Sequence, residues 1–222
     1  FDIITNTYTK KFDFVPATGS FPSGSLIQHT DGNLYGMTNH GGANSLGTLF
    51  QYNPITDVYT KKIDFSGVTN GSNPLGELMQ ASDGNLYGMT STGGLNNKGT
   101  IFQYNPSTNI LTKKFDFDGT NSGSTPYAAL TQATDGMLYG MTYDGGSNSY
   151  GVIFQFDPLT AIFTKKMDFV GTNGGAPMGS LIQASDGKLY GMTYYGGAIL
   201  GNGILFQYDP LTNIFVEKSE FD

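Results

Sequence analysis

The stretch Asp83-Gly84-Asn85-Leu86-Tyr87-Gly88-Met89-Thr90 decides the fold, because the chain repeats its pattern four times. Leu-Tyr-Gly-Met-Thr begins at Leu34, Leu86, Leu138 and Leu189, in steps of 52, 52 and 51 residues. An Asp-Gly pair precedes each copy, at Asp31-Gly32, Asp83-Gly84, Asp135-Gly136 and Asp186-Gly187. A Gly-Gly pair follows, at Gly41-Gly42, Gly93-Gly94, Gly145-Gly146 and Gly196-Gly197. Next come an apolar run such as Ile101 to Tyr104, a turn carrying Pro54, Pro106, Pro158 or Pro210, and a closing segment like Thr112-Lys113-Lys114-Phe115-Asp116-Phe117.

Each repeat reads as four short antiparallel strands. In the second copy, Glu77 to Ala81 is a first strand and Asp83-Gly84-Asn85 a tight hairpin, with Gly supplying the positive φ. Leu86 to Thr90, Thr100 to Tyr104 and Ile110 to Phe117 follow as the other three strands. The two middle strands are apolar on both faces, so both must be covered. Blades of a β-propeller cover one another in this way. The expected fold is therefore all-β: a propeller of four blades of about 52 residues, forming a single domain over 1–222. Its repeats lie at 22–65, 74–117, 126–169 and 177–221, with a partial copy at 1–14 that supplies one extra N-terminal strand. Tyr87, Met89, Phe102 and Phe117, with their copies, are the expected core. Gly88 inside a strand suggests close approach of a bulky side chain from the next blade. The paired lysines of the last strand (Lys10-Lys11, Lys61-Lys62, Lys113-Lys114, Lys165-Lys166) fit edge protection. A ring of basic patches for an anionic partner is the other reading.

Composition narrows the function. Charged residues make up only 13%, net charge is −7 and arginine is missing, which disfavours nucleic acid as a partner. No apolar run is long enough to span a membrane. Cysteine is absent, which removes disulfides and thiol chemistry. No cofactor or metal motif is present. One Asp per Asp-Gly turn makes a turn role the simpler reading than calcium ligation.

The repeat resembles the secreted bacterial tandem repeat called GloVer (Gloeo_Verruco). Asp83 to Tyr87, Gly93-Gly94 and Gly99 to Phe102, with their copies, carry the resemblance, and Met89 and its copies stand where Thr is expected in many members. The resemblance implies an exported protein, secreted or at the bacterial cell surface, and no known chemistry. The strand order is also similar to that of NHL-type propellers, which implies that the first strand lies nearest the axis.

A residue present in every copy is explained by scaffold geometry, so candidates for binding are residues that differ between copies. They concentrate between the second and third strands: Asn39-His40, Ser91-Thr92, Tyr143-Asp144 and Tyr194-Tyr195 before the glycines, and Ala43-Asn44, Leu95-Asn96, Ser147-Asn148 and Ala198-Ile199 after them. The binding candidates are His40, Tyr143, Asp144, Asn148, Tyr150, Tyr194 and Tyr195. Tyr offers large contact area at low entropic cost, which suits a carbohydrate or a surface protein. The simpler role for these rings is to cover loop backbone. Catalysis has little support: the two histidines, His29 and His40, lack a Ser/Asp partnership, and no carboxylate pair is evident among Glu77, Asp118 and Asp144. The expected function is a non-catalytic surface module for adhesion, binding or spacing; the alternative is a polysaccharide-acting hydrolase or lyase.

The strand accounting is uneven. Tyr8 to Phe14 aligns with Tyr59 to Phe65, giving one fourth strand more than four blades need. Either the chain belongs to a longer array or a ring completed between chains, or a four-bladed ring closes by exchanging that strand for the C-terminal one. The abrupt start at Phe1 favours the first.

Overall fold

The computed structural model describes residues 2–198 and 201–221. Phe1, and Ile199 of the fourth Gly-Gly loop, lie outside the described residues. The chain forms four antiparallel sheets of four strands, each in sequence order. Blade 1 holds β1 (Ile27–Gln28), β2 (Leu34–Thr38), β3 (Thr48–Asn53) and β4 (Val58–Asp64). Blade 2 holds β5 (Met79–Gln80), β6 (Leu86–Thr90), β7 (Thr100–Asn105) and β8 (Ile110–Asp116). Blade 3 holds β9 (Thr131–Gln132), β10 (Leu138–Met141), β11 (Val152–Phe156) and β12 (Phe163–Asp168). Blade 4 holds β13 (Ile182–Gln183), β14 (Leu189–Met192), β15 (Ile204–Asp209) and β16 (Ile214–Glu220). The first strands are shorter than the sequence suggests, pairing over two residues each. The four together line one cavity of about 440 Å³, which puts them innermost and the lysine strands outermost.

The Asp-Gly hairpin sets the register. Asp83 Oδ1 accepts the Asn85 N–H at 2.9 Å, and Gly84 takes φ 78°. The other carboxylate oxygen accepts the Tyr87 hydroxyl at 2.9 Å, so the turn is tied to a ring in the core. Tyr35, Tyr139 and Tyr190 make the same bond to Asp31, Asp135 and Asp186. The turn aspartates thus serve the scaffold.

Blades pack face to face by one recurring rule. Tyr35, Met37, Leu49 and Phe65 of blade 1 meet Leu78, Leu86, Phe102 and Tyr104 of blade 2. Tyr87, Met89, Ile101 and Phe117 meet Leu130, Leu138, Phe154 and Phe156 of blade 3. Tyr139, Met141, Ile153 and Phe169 meet Leu181, Leu189, Phe206 and Tyr208 of blade 4. Tyr87, Met89, Phe102 and Phe117 are buried as expected. A polar clasp accompanies two of these contacts: the Ser82 N–H donates to Gln132 Oε1 and the Thr134 N–H to Gln183 Oε1, both at 2.8 Å.

The reason for the strand glycine differs from the sequence expectation. A Cβ on Gly88 would lie 2.6 Å from Phe102 Cζ and 3.0 Å from Leu78 Cδ2, both in its own blade. The ring of β7 and the leucine preceding β5 close over the glycine from the two flanking strands. The nearest atoms thus come from its own blade and not from the next one.

Each pair of outer strands carries a bulge where the lysines stand: Phe102 pairs with Lys113 and Ile101 with Phe115, leaving Lys114 unmatched. A bulge and adjacent charges both blunt an edge. Lys61, Lys113 and Lys165 also form ion pairs with Asp64, Asp116 and Asp168 of their own strands. Lys10 and Lys11 pair with Asp13 and Asp57, so five of the eight lysines of the expected basic patch face a carboxylate.

Residues 7–14 belong to no ladder, although they read as a fourth strand. Their rings still take the place of one. Phe12 stacks on Tyr59 at 3.9 Å and Phe14 meets Phe50 edge-on at 5.3 Å. Phe115 of β8 and Phe117 just after it do the same to Phe163 and Phe154 of blade 3, at 4.2 and 5.6 Å. The segment has no third strand beside it to pair with. Leu205 to Tyr208 of β15 pair with β16 instead.

Candidate ligand-binding face

The Gly-Gly loops and the segments leading into the inner strands share one end of the blades. Isolated bridges join them: Ser20 to His40, Ser72 to Thr92, Ser124 to Asp144 and Gly175 to Tyr195. The second glycine of each pair donates its N–H across to the linker, as Gly94 does to the Gly67 carbonyl at 2.9 Å and Gly146 to Gly119 at 2.7 Å. The outer-strand carboxylate holds the loop from the other side. Asp64, Asp116 and Asp168 accept the N–H of Ala43, Leu95 and Ser147 at 2.8 to 2.9 Å. These aspartates are therefore spent on loop geometry, and what remains for a ligand is the set of side chains that vary.

Those side chains gather at blades 3 and 4. The Tyr195 ring lies 5.9 Å from Tyr194 and 6.1 Å from Tyr150, nearly perpendicular to both. A Cβ on Gly175 would come within 2.9 Å of Tyr150 Cδ1 and 3.2 Å of Tyr195 Cε2, so the rings close over a glycine. Burial raises the Tyr195 pKa, and Tyr143, Tyr150 and Asp144 nearby add to it. Tyr194 is 61% exposed, while Tyr143, Tyr150 and Tyr195 are half-buried. Asp144 holds the loop through backbone and side chain: its carbonyl accepts the Ser124 N–H at 2.8 Å, and its Oδ1 accepts the Gly145 N–H at 2.7 Å.

Two candidates stand apart. His40 is in blade 1, edge-on to Phe21 at 5.4 Å, with blade 2 between it and the tyrosines. Asn148 is exposed. Its copies Asn44 and Asn96 donate to the Phe65 and Phe117 carbonyls at 2.9 and 3.0 Å, which marks the position as a loop clasp. The other histidine, His29, is buried at the opposite end, 2.9 Å from the Gly84 carbonyl, and clasps blade 1 to blade 2. Asp118 is engaged by Asn121 and Ser122 in its own turn.

Tyr127 belongs with the group and was not among the sequence candidates. Its ring is 4.8 Å from Tyr143, edge-on, and it lines a depression of about 190 Å³ at the axial end of the inner strands. Glu77 and Met178 line the same depression. Tyr127 therefore links the tyrosine group to the axis. The available signal was the position after the linker proline, which reads Ser23, Leu75, Tyr127 and Met178.

The fold is shared with larger proteins. TolB from Acinetobacter baumannii superposes with a TM-score of 0.56 at 14% identity, over 87% of this chain and 42% of that one. The extracellular domain of a one-component system from B. thetaiotaomicron gives 0.64 at 16% identity, over 96% of this chain and 24% of that one. The chain thus spans less than half the length of either. Among curated proteins, none matches. Among the described residues, no helix is long and apolar enough to cross a membrane. The profile of the Gloeobacter/Verrucomicrobia repeat matches residues 1–136 and 68–222, which together cover every copy of the motif, and the chain belongs to that repeat family.

Proposed function

We propose that this chain is a non-catalytic extracellular repeat module whose tyrosine-bearing face at blades 3 and 4 binds carbohydrate. One observation carries the reading. The repeated carboxylates are engaged in turns and loops, whereas the varying Tyr143, Tyr150, Tyr194 and Tyr195 meet on one face beside Asp144. Exposed rings stack on the apolar faces of sugars, and a neighbouring carboxylate accepts their hydroxyls. An extracellular setting is supported by family membership and by the extracellular domain of similar fold. Residues 1–222 then act as one propeller domain that presents this face from a rigid support.

The test is an oligosaccharide array, followed by titration of the best binder. The double variant Tyr194→Ala, Tyr195→Ala is expected to weaken binding about tenfold or more, a loss of about 1.4 kcal/mol, with an unchanged far-ultraviolet spectrum. Unchanged affinity would remove these residues from the site. Turnover of any sugar on the same array would overturn the non-catalytic reading in favour of a hydrolase or lyase.

A further inference from the structure

The geometry points to a cation-accepting subsite on the axis, where Glu77 takes the protonated amine of an amino sugar lying across Tyr127 and Tyr143. This assignment rests on the carbohydrate reading and narrows it to one class of sugar. The residue before the inner leucine reads Ser25, Glu77, Ala129 and Ser180, so one blade in four carries a charge there. A residue that differs between copies is not required by the repeat. Nor is Glu77 occupied by its surroundings. Asp118 is engaged in its own turn and Asp144 holds the Gly145 N–H. Among the described residues, no hydrogen bond or ion pair engages the Glu77 side chain, which is partly buried. A partly buried carboxylate without a partner forgoes bonds it would make in water, and a ligand that brings a donor restores them.

The packing of blades 2 and 3 puts this carboxylate beside a ring. A Cβ on Gly76 would run into the Ala128 carbonyl oxygen, so the two backbones touch there. Glu77 follows that glycine and Tyr127 precedes that alanine, and both line the axial depression of about 190 Å³. Ser25 and Ser180 line it as well. Ser180 Oγ accepts the Ala129 N–H at 3.0 Å, which leaves its own proton to donate. Glu77 also lines the deeper axial cavity of about 440 Å³, walled by Leu26, Leu78, Leu130 and Leu181. It therefore stands where a polar rim meets an apolar wall, and a charge in such a place is screened less than on an open surface. No lysine lines either hollow among the described residues, and the chain has no arginine, so no cation of its own competes for the site.

The rings set the class of ligand. Tyr127 meets Tyr143 edge-on at 4.8 Å, and Asp144 follows Tyr143 in the chain. One carboxylate thus accompanies each ring of the pair, Glu77 on the axial side and Asp144 on the loop side. A sugar stacked on Tyr127 brings its substituents to Glu77. A hydroxyl there donates a neutral hydrogen bond, whereas a protonated amine donates a charge-assisted one, roughly twice as strong. An acidic sugar would meet like charge. The subsite therefore selects cationic over neutral sugars, and neutral over acidic ones.

Glucosamine oligomers and N-acetylglucosamine oligomers of equal length isolate the charge, because acetylation removes the cation and keeps the ring. In calorimetric titration at slightly acidic pH and low salt, the glucosamine oligomer is expected to bind about tenfold more tightly, the size of one hydrogen bond to a charged group. Glu77→Gln is expected to abolish that preference while the affinity for the acetylated oligomer and the melting midpoint stay unchanged. Glu77→Asp is expected to keep part of it. The double variant Tyr194→Ala, Tyr195→Ala should weaken both oligomers alike. Equal affinity of the two oligomers for the natural chain would overturn the subsite and leave the carbohydrate reading standing. A preference that survives in Glu77→Gln would trace to the net charge of −7 and would also overturn it. Binding of neither oligomer, with another sugar bound on the array, would overturn the amino-sugar assignment alone. An array without any binder would overturn both.

Discussion

Tyr87 shows how one residue joins turn, core and register. Its ring is fully buried, and its hydroxyl donates to Asp83 at 2.9 Å and accepts from Gln103 Nε2 at 2.8 Å. A buried hydroxyl without partners costs about 1–3 kcal/mol, so both bonds are needed where the ring sits. The same logic makes Phe102 irreplaceable by a small residue. It is fully buried, crowds Gly88 from one side and meets Phe65 of blade 1 edge-on at 5.5 Å. Phe102→Ala is expected to cost about 3–5 kcal/mol in urea denaturation, and a loss under about 1 kcal/mol would mean that the ring contributes little to packing. Asp116 is a different case, since it works through a loop. It accepts the Leu95 N–H and pairs with Lys113, and its side chain is 17% exposed. Asp116→Ala is expected to cost about 1–3 kcal/mol. It should also raise protease cleavage within 93–98; an uncleaved loop would show that the glycines alone fix it.

At the scale of the strand and the loop, the repeat made most of the fold legible. Asp-Gly turns, two-faced apolar strands and proline turns gave β6, β7 and β8 nearly to the residue. The inner strand was read too long, because Leu78 continues the apolar pattern of Met79 while the pairing with β6 stops at Met79 opposite Tyr87. Residues 7–14 carry a perfect strand pattern and still form no ladder, because pairing depends on a neighbour that a local pattern does not contain. The candidate site was legible by a negative argument: residues common to all copies are scaffold, and those that vary are free to bind. That reasoning singled out Tyr143, Tyr150, Tyr194 and Tyr195, whose side chains lie near one another. It included His40, which varies too but lies in a distant blade, because variation carries no information on distance. It omitted Tyr127, whose contact with Tyr143 joins segments on either side of the inner hairpin.

The whole molecule combines these units into a stack with two unequal ends, and both its pH response and its local stability follow. Burial raises the hydroxyls of Tyr59, Tyr104 and Tyr208 to about 12, and those of Tyr35, Tyr87 and Tyr139 further. A raised folded-state value contributes stability that is complete below the unfolded value near 10 and is lost as pH climbs through 10 towards 12. Burial also opposes ionisation of Asp31, Asp83 and Asp168, but the hydrogen bonds they accept outweigh it and hold them below 3.8. That contribution is present above about 4 and is lost as pH falls below it. Thermal melts are expected to be flat between about pH 5 and 9 and to fall on both sides; a midpoint still constant at pH 11 would contradict the tyrosine assignment. Local stability should follow the same geometry. In a stack where each unit contacts only its neighbours, stability is a sum of unit and interface contributions. Blade 3 has both faces covered, by Met89 and Phe117 on one side and Phe206 and Tyr208 on the other. Blade 4 has one, and Met192, Ile182 and Phe221 are left exposed. Amides of matched register therefore differ in cover and not in hydrogen bonding, since Gly191 faces Phe206 as Gly140 faces Phe154. In hydrogen exchange on dilute single chains, β14 and β15 are expected to exchange at least tenfold faster than β10 and β11. Equal protection of the two blades in the single chain would mean that the end face is already covered and that the stack closes on itself.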